Sequence, residues 1–251
     1  MPTEHGGWGF SSEPILLGLL LAPTWGGLAL GIAAFSAFLL RHPLKLYVKD
    51  IRAGRSVPRT LAARRFVLIY GGVMITAAML MVLLMPSSIV LVPIGLSIPL
   101  IGLQLWQDIH NKGRSLTAEL AGAIATGTFA SSIVLLDEWS FALAMGLWLA
   151  LAAKGVTAVL YVRSRLRLER DKPASHLLTI SGHSGSVLLL LVAASYALLP
   201  WTAPLAMVIL AIRAGIGLSP LRKARPAKVI GIQEMIYGFG FVLLVALGYA
   251  L

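Results

Sequence analysis

Basic residues in this chain are confined to four short clusters, and the stretches between the clusters are almost entirely apolar. Of the 21 Lys and Arg residues, only Lys154 and Arg213 lie inside a long apolar stretch. The clusters occupy Arg41–Arg65, Lys112–Arg114, Arg163–Lys172 and Arg222–Lys228. Each intervening stretch of roughly 45–50 residues accommodates two bilayer crossings of about 20 residues each. Two crossings return the chain to the side it left, so all four clusters are predicted to face the cytoplasm.

The composition favours an integral membrane protein over a soluble one. Apolar residues make up 58% of the chain and charged residues 12%, with a mean hydropathy of +0.86. A soluble domain of this size needs more charge than that to cover its surface. The net charge of +11 indicates membrane lipids as partners, because no soluble basic domain or aromatic RNA-binding motif points to nucleic acid. The sequence identifies no protein partner, and the lack of cysteine excludes disulfides and thiol catalysis.

Turn residues divide the apolar stretches into about nine transmembrane helices, an all-α integral membrane fold in a single domain spanning residues 1–251. The first three predicted helices are roughly Trp8–Ala22, Trp25–Asp50 and Arg65–Met85. The fourth follows the Pro86–Ser88 turn to about Asp108, the fifth runs from about Leu116 to Asp137, and the sixth runs from the Asp137–Trp139 turn to about Arg165. The seventh is roughly His176–Leu199, the eighth follows the Pro200–Thr202 turn to about Ser219, and the ninth is roughly Val229–Leu251. If Pro23 only kinks the first apolar run, the count is eight and the N-terminus lies outside. Pro23 followed by Gly26 and Gly27 favours two helices and an uncleaved first span.

The four outer turns support the same orientation. The turns Pro23–Gly27, Pro86–Ser88, Asp137–Ser140 and Pro200–Pro204 contain no Lys or Arg. Three of them contain a Trp residue that suits the membrane interface, namely Trp25, Trp139 and Trp201. We therefore expect a multi-pass protein of the inner (plasma) membrane with a cytoplasmic N-terminus.

Polar residues within the predicted helices concentrate towards the cytoplasmic ends, where they are expected to surround a cavity open to the cytoplasm. Asp108, Glu119 and Glu234 are the candidates for general acid/base chemistry. The alternatives are a counter-ion role for Asp108, a favourable helix-dipole position for Glu119 and a buried ion pair for Glu234. Lys154 and Arg213 either face this cavity or extend along the apolar surface to the interface.

A second group of residues is typical of anion binding. Arg and Lys bind phosphate through charge-assisted hydrogen bonds, and the basic clusters contain more of them than orientation alone requires. The candidate substrate-binding residues in these clusters are Lys45, Lys49, Asp50, Arg52, Arg163 and Arg167. Asp50 is alternatively a counter-ion for a neighbouring arginine.

The N-terminal segment Pro2-Thr3-Glu4-His5-Gly6-Gly7-Trp8 places an acid and an imidazole directly before a helix. Glycine lets a backbone approach a ligand closely, so Glu4 and His5 join the candidate substrate-binding residues. The alternative is that this segment only caps or docks the first helix.

These residues resemble a known family. The segment Pro2–Trp8 resembles the Pro-x-Glu-His-Gly-x-Trp opening of YwiC-like membrane proteins. Further similar stretches are Pro43-Leu44-Lys45-Leu46 with Arg55–Arg65, Arg114-Ser115-Leu116 with Glu119–Gly122, and Arg163–Leu168. The resemblance covers essentially the whole chain, and it implies membership of a membrane family without implying a particular chemistry.

A more distant resemblance is to UbiA-type intramembrane prenyltransferases, which have nine helices and polar motifs after helices 2 and 6. Leu44–Asp50 lies where that family has an Asn-Asp-x-x-Asp motif, and Gly54–Pro58 resembles the loop that follows. The resemblance implies a UbiA-like bundle and, if the protein is an enzyme, a transferase acting on a lipid. However, the Asp-rich motifs that hold Mg²⁺ in UbiA-type enzymes are missing, because Arg163–Asp171 is mostly basic. The metal and any other cofactor therefore stay unassigned.

Three functions are compatible with this sequence. The first is binding, with or without transformation, of a lipid that carries phosphate or diphosphate at a cytoplasm-facing cavity. The second is transport of a solute or lipid through the same polar residues, which discontinuous helices would favour. Breaks at Pro93 and Pro99 in the fourth helix are compatible with this. The third is a structural subunit of a membrane complex.

Overall fold

A computed structural model describes residues 5–54, 57–110 and 112–251, with side chains from Trp8 onwards. Across these residues the chain forms nine α-helices and one short 3₁₀ turn at Ser88–Val90. The helices are α1 His5–Leu21, α2 Trp25–Arg52, α3 Pro58–Leu84, α4 Leu91–Ile109, α5 Leu116–Leu135, α6 Phe141–Leu168, α7 His176–Ser195, α8 Thr202–Leu218 and α9 Ala227–Ala250. The all-α fold and the count of nine, rather than eight, are confirmed.

The first apolar run divides at Thr24, as its turn residues predict. The Thr24 hydroxyl accepts a hydrogen bond from the Gly27 backbone N–H at 3.0 Å, which caps the start of α2.

Two other helices differ from expectation. Helix α3 begins at Pro58 rather than Arg65, because proline suits the first helical position and the Thr60 hydroxyl accepts from the Val57 N–H. Helix α4 runs on through Pro99 without a break.

Seven of the described helices are long and apolar enough to cross a membrane. They are α2, α3, α4 with its preceding 3₁₀ turn, α5, α6, α7 and α9. The apolar part of α1, Trp8–Leu21, and the helix α8 are shorter. The chain is therefore a multi-pass helical membrane protein in which two shorter helices pack among seven full-length spans.

Six helices form a closed ring in which each packs on the next: α1, α5, α6, α7, α8 and α9, with α9 returning to α1. Helix α6 also contacts α8 and α9 across the ring. The most apolar windows of α5 and α6 are 72% and 67% buried, the highest values in the bundle. Close approach of these two helices is possible because a Cβ at Gly155 of α6 would lie only 3.1 Å from Ala123 Cβ.

Helices α2, α3 and α4 lie outside this ring. Helix α2 packs on α5 and α3 packs chiefly on α2, while α4 packs on α5. Only 11% of the apolar window of α3 and 17% of that of α4 are buried. Their exposed faces carry large apolar side chains such as Leu68, Met79, Leu83 and Ile98, as expected of helices that face lipid tails.

Candidate functional site

The first ion pair of the bundle interior joins α1 to α6. The Lys154 ammonium donates to the Glu13 carboxylate, and the two side chains are only 6% and 3% exposed. Lys154 lies about 20 Å along α6 from Phe141 at 1.5 Å per residue, close to the middle of the helix. The Phe10 ring lies 5.4 Å from Lys154 Nζ. Both charges are thus removed from the membrane surfaces and covered by apolar groups.

Helix α9 closes over this pair at a glycine. A Cβ at Gly238 would collide with both Glu13 Oε1 and Lys154 Nζ, and a Cβ at Gly9 of α1 would lie 2.8 Å from Glu13 Oε1. A side chain at either position would therefore push the carboxylate from its place. The absence of a Cβ at Gly238 allows three helices to meet around one ion pair.

The second interior ion pair joins α8 to α9. The Arg213 guanidinium donates to the Glu234 carboxylate, and these side chains are 9% and 11% exposed. The guanidinium carbon lies 4.0 Å from the centre of the Tyr161 ring and 5.2 Å from that of Tyr237. Cation–π contacts of this kind strengthen when the cation is desolvated, so α6 and α9 both help to hold Arg213.

The two pairs lie close enough to act on one another. Glu234 of α9 holds Arg213, and Gly238, which faces Glu13 and Lys154, lies one turn beyond Glu234 on the same helix. We call Glu13, Lys154, Arg213 and Glu234 the interior cluster. Its two cations and two anions cancel, which is the arrangement that low-dielectric surroundings demand, since an unpaired charge there is costly.

An imidazole from α7 lies near the second pair. His183 is 2% exposed, and its Nδ1 lies 2.8 Å from the Thr179 carbonyl oxygen. A Cβ at the adjacent Gly182 would lie 2.7 Å from Leu160 Cδ1, and the residue after Leu160 is Tyr161, whose ring stacks on Arg213. His183 Nε2 and Arg213 Nε are both buried without a hydrogen-bond partner among the described residues. Each such group costs about 1–3 kcal/mol, so this end of the cluster carries unsatisfied hydrogen-bonding capacity.

The other carboxylates predicted from the sequence lie in separate ion pairs nearer the helix ends. Asp108 of α4 accepts from Arg41 of α2, with 2.8 Å between Oδ2 and Nε. Glu119 of α5 accepts from Arg163 of α6, with 2.8 Å between Oε2 and Nη1. These pairs retain solvent access, because the Arg41 and Arg163 side chains are 42% and 39% exposed. Both acids therefore act as counter-ions between helices, as the alternative interpretation of Asp108 proposed.

Asp50 forms the link between α2 and α3. Its two carboxylate oxygens accept from Arg59 at 2.6 and 3.0 Å, and Oδ2 also accepts from the Thr60 hydroxyl at 2.8 Å. Asp50 is 2% exposed, whereas the Arg59 side chain is 57% exposed. We call the pairs of Asp50, Asp108 and Glu119 the rim pairs.

The remaining predicted residues do not converge with the interior cluster in the part of the chain that the structure describes. Lys45, Lys49, Arg52 and Arg167 are exposed. Glu4 lies outside the described residues, as does the side chain of His5, which begins α1. Among the described residues, no group of three or more His, Asp or Glu side chains is placed to hold a metal ion.

A shallow cavity of about 360 Å³ lies where α6 ends and α9 begins. It is lined by Leu166, Glu169, Arg170, Ala224, Arg225, Pro226 and Ala227. Arg165 anchors this region, because its guanidinium donates to the Gly217 carbonyl and lies 2.7 Å from Glu169 Oε1. Two exposed arginines and an apolar wall thus meet at a basic end of the bundle.

Sequence reasoning noticed three members of the interior cluster and missed the fourth. Lys154 and Arg213 are buried and paired rather than extended to the interface, and Glu234 occupies the buried ion pair that was one of its two interpretations. Glu13 was not singled out. The sequence does contain a signal for Glu13, because it is the one acid within the apolar run from Trp8 to Ala22. An isolated charge in such a run usually has a buried partner.

The family described as YwiC-like protein matches residues 1–134 of this chain. The match covers α1 to α4 and nearly all of α5, so Glu13 lies within it and the other three cluster residues follow it. No curated protein and no solved structure matches the chain, so the resemblance to UbiA-type enzymes stays a prediction. Because the match spans more than half of its length, this chain belongs to the YwiC-like protein family.

Proposed function

We propose that this protein is a membrane transporter for a small charged solute or ion, and that the interior cluster is its site. The observation that carries the proposal is the meeting of four ionisable side chains from α1, α6, α8 and α9 in the middle of the bundle. Ionisable residues inside membrane spans typically mark ion or substrate pathways.

Stability alone is a poor reason for this arrangement. Replacing a buried ion pair by well-packed apolar residues is often neutral or stabilising, so two such pairs need another role. Because the two pairs lie one turn apart along α9, an ion that displaces one partner changes the electrostatic field at the other pair as well. The four side chains of the cluster can then exchange ion-pair partners. Each set of pairs favours a different arrangement of the helices, and transport requires two such arrangements.

An enzymatic role has less support from the same contacts. Asp108 and Glu119 are each engaged with an arginine, and Glu234 with Arg213. A general base must be free to take a proton from its substrate. A transferase would first have to break one of these ion pairs to free its general base. In a transporter, breaking the ion pair is itself a step of the transport cycle.

The proposal is tested by flux measurements on protein reconstituted in liposomes. Currents are recorded on solid-supported membranes after concentration jumps of protons, inorganic phosphate, succinate, glutamate or lysine. We expect a current for at least one of these probes in wild type and its loss in Glu13→Gln and Glu234→Gln. The matched control is Glu119→Gln, which removes the same charge from a rim pair and should retain the current.

Two results would count against transport. Equal loss in Glu119→Gln would show that any missing carboxylate disables the protein, so the interior cluster has no special part. The absence of current for every probe, with correctly folded protein in the liposomes, would favour a structural subunit or the lipid-binding function below.

Binding of a phosphate- or diphosphate-bearing lipid is a second candidate, favoured by the cavity between α6 and α9. Arg170 and Arg225 line it beside the apolar Leu166, a combination that suits an anionic head group with a chain. Lys45, Lys49, Arg52, Arg163 and Arg167 remain proposed contacts at the same basic side. Native mass spectrometry with undecaprenyl phosphate tests this: Arg170→Ala should weaken binding about tenfold, at roughly 1.4 kcal/mol per factor of ten, and Arg222→Ala should not.

We propose that the protein lies in the plasma membrane with its basic helix ends in the cytoplasm. The supporting observation is that the turns at the opposite ends carry no Lys or Arg. Because the chain contains no cysteine, single cysteines report orientation directly. An impermeant thiol reagent should label Ser140→Cys in intact cells and should leave Arg170→Cys unlabelled, and the reverse pattern would invert the topology.

A further inference from the structure

The hydrogen bond of His183 fixes which ring nitrogen carries its proton. Nδ1 lies 2.8 Å from the Thr179 carbonyl oxygen, and a carbonyl oxygen can only accept. Nδ1 must therefore be the donor, and in the neutral ring Nε2 carries the lone pair. The hydrogen-bond acceptor of the neutral ring is thus Nε2, which is buried.

The ring is held in this orientation by contacts between α6 and α7. Thr179 lies one turn before His183 and is 1% exposed. Its hydroxyl lies 2.8 Å from the Ser164 hydroxyl and 3.3 Å from the Leu160 carbonyl oxygen, both on α6. These bonds fix the turn of α7 whose carbonyl orients the imidazole, so the lone pair on Nε2 has a defined direction.

Nε2 of His183 has an unused capacity to accept a hydrogen bond. Its atom is buried and has no hydrogen-bond partner among the described residues. The charged group nearby is Arg213 of α8. Gly182, next to His183, faces Leu160 of α6, and the following residue, Tyr161, stacks on the Arg213 guanidinium that Glu234 of α9 holds. The interior cluster is already neutral, so His183 can change its charge without breaking an ion pair of the cluster.

We propose that His183 Nε2 is a proton-binding site linked to the Arg213–Glu234 ion pair. A proton is a ligand that needs no cavity, and it converts the unpartnered acceptor into an imidazolium donor. The new positive charge repels Arg213, so protonation loosens the pair and a closed pair disfavours protonation. Linkage makes this effect reciprocal.

This inference deepens the proposed transport function and rests on it for its biological meaning. If the interior cluster carries a solute, His183 is where a proton enters the cycle. Protonation then favours separation of Arg213 from Glu234. The guanidinium and the carboxylate are then both available to bind the solute. The transported solute and the proton would be coupled through a single ion pair.

The test is ¹⁵N NMR of histidine-labelled protein in nanodiscs, over a range of pH. The chain contains five histidines, and His183→Gln assigns the signal of interest. We expect a neutral ring protonated at Nδ1 that converts to imidazolium as the pH falls. Arg213→Gln should increase the proton affinity of His183 at least tenfold, and Glu234→Gln, which leaves Arg213 unneutralised, should decrease it. His176, which lies exposed at the start of the same helix, is the matched control and should not respond to either change.

The result separates this inference from the transport proposal. A neutral ring protonated at Nε2, or a proton affinity that is the same in all three proteins, overturns the inference even if the flux assay succeeds. Conversely, a linked titration in a protein that shows no flux leaves the proton site standing and removes the transport function. Loss of proton coupling in His183→Gln, with solute flux retained, supports both.

Discussion

The interior cluster and the rim pairs use the same side-chain chemistry at different depths. In the interior cluster both partners of each pair are at most 11% exposed. At the rim, Arg41, Arg59 and Arg163 are 42%, 57% and 39% exposed while holding a carboxylate. Exposed pairs contribute about 0–1 kcal/mol, whereas breaking a buried pair costs about 3–5 kcal/mol. Depth rather than residue type therefore separates the pairs that are inexpensive to break from those that are costly to break.

The largest effect should follow removal of one charge from the first interior pair. Glu13→Gln leaves the Lys154 ammonium buried without its counter-ion, and we expect a loss of about 3–5 kcal/mol in the free energy of unfolding. Unfolding by SDS titration in mixed micelles measures this. The control is the double variant Glu13→Leu with Lys154→Met, which removes both charges and should recover most of the loss. A single variant as stable as wild type would show that the pair is hydrated.

The next effect should come from adding one methyl group against the same pair. Gly238→Ala places a Cβ against Glu13 Oε1 and Lys154 Nζ, and overpacking of this kind costs about 1–3 kcal/mol. We expect the upper end, because charged partners cannot separate without losing their pairing. Gly240→Ala is a matched control two residues along α9, where a new Cβ meets nothing within 4 Å. It should be neutral or slightly stabilising, since alanine favours helix. Equal losses of stability in Gly238→Ala and Gly240→Ala would show that contact with the ion pair is not the cause.

The sequence predicts the helices of this protein far better than its site. Helix lengths and the break at Pro23 depend on local residues, and most helices of the described chain lie close to their predicted bounds, although α3 begins seven residues earlier. The pairing of Glu13 with Lys154 spans 141 positions and depends on the closure of α1 onto α5, α6 and α9. No spacing rule connects such residues. The sequence indicates only that a lone charge in an apolar run needs a partner.

A smaller effect is expected at the most buried acid of the rim. Thr60→Val removes the hydroxyl that donates to Asp50 Oδ2 at 2.8 Å and also accepts from the Val57 N–H at 3.3 Å. A hydrogen bond to a charged group contributes about 1.5–3 kcal/mol, and we expect the lower end because Arg59 still holds both carboxylate oxygens. Thr60→Ser keeps the hydroxyl and should preserve most of the stability in the same SDS titration. If Thr60→Ser and Thr60→Val lose equal amounts, packing of the threonine methyl group is responsible instead.

The smallest effect should come from the exposed rim pair between α2 and α4. Arg41→Gln removes the partner of Asp108, but both groups reach water, so we expect a loss of about 0.2–1 kcal/mol. A double-mutant cycle with Asp108→Asn isolates the coupling of the pair, and raising the ionic strength should reduce that coupling because exposed charges are screened. Glu13→Gln should keep its large effect at the same ionic strength, because salt screens buried charge pairs much less than exposed ones. A loss of several kcal/mol in Arg41→Gln that salt leaves unchanged would mean that lipid head groups or protein seal this rim as completely as the interior. In that case depth along the helices would no longer distinguish the two kinds of pair.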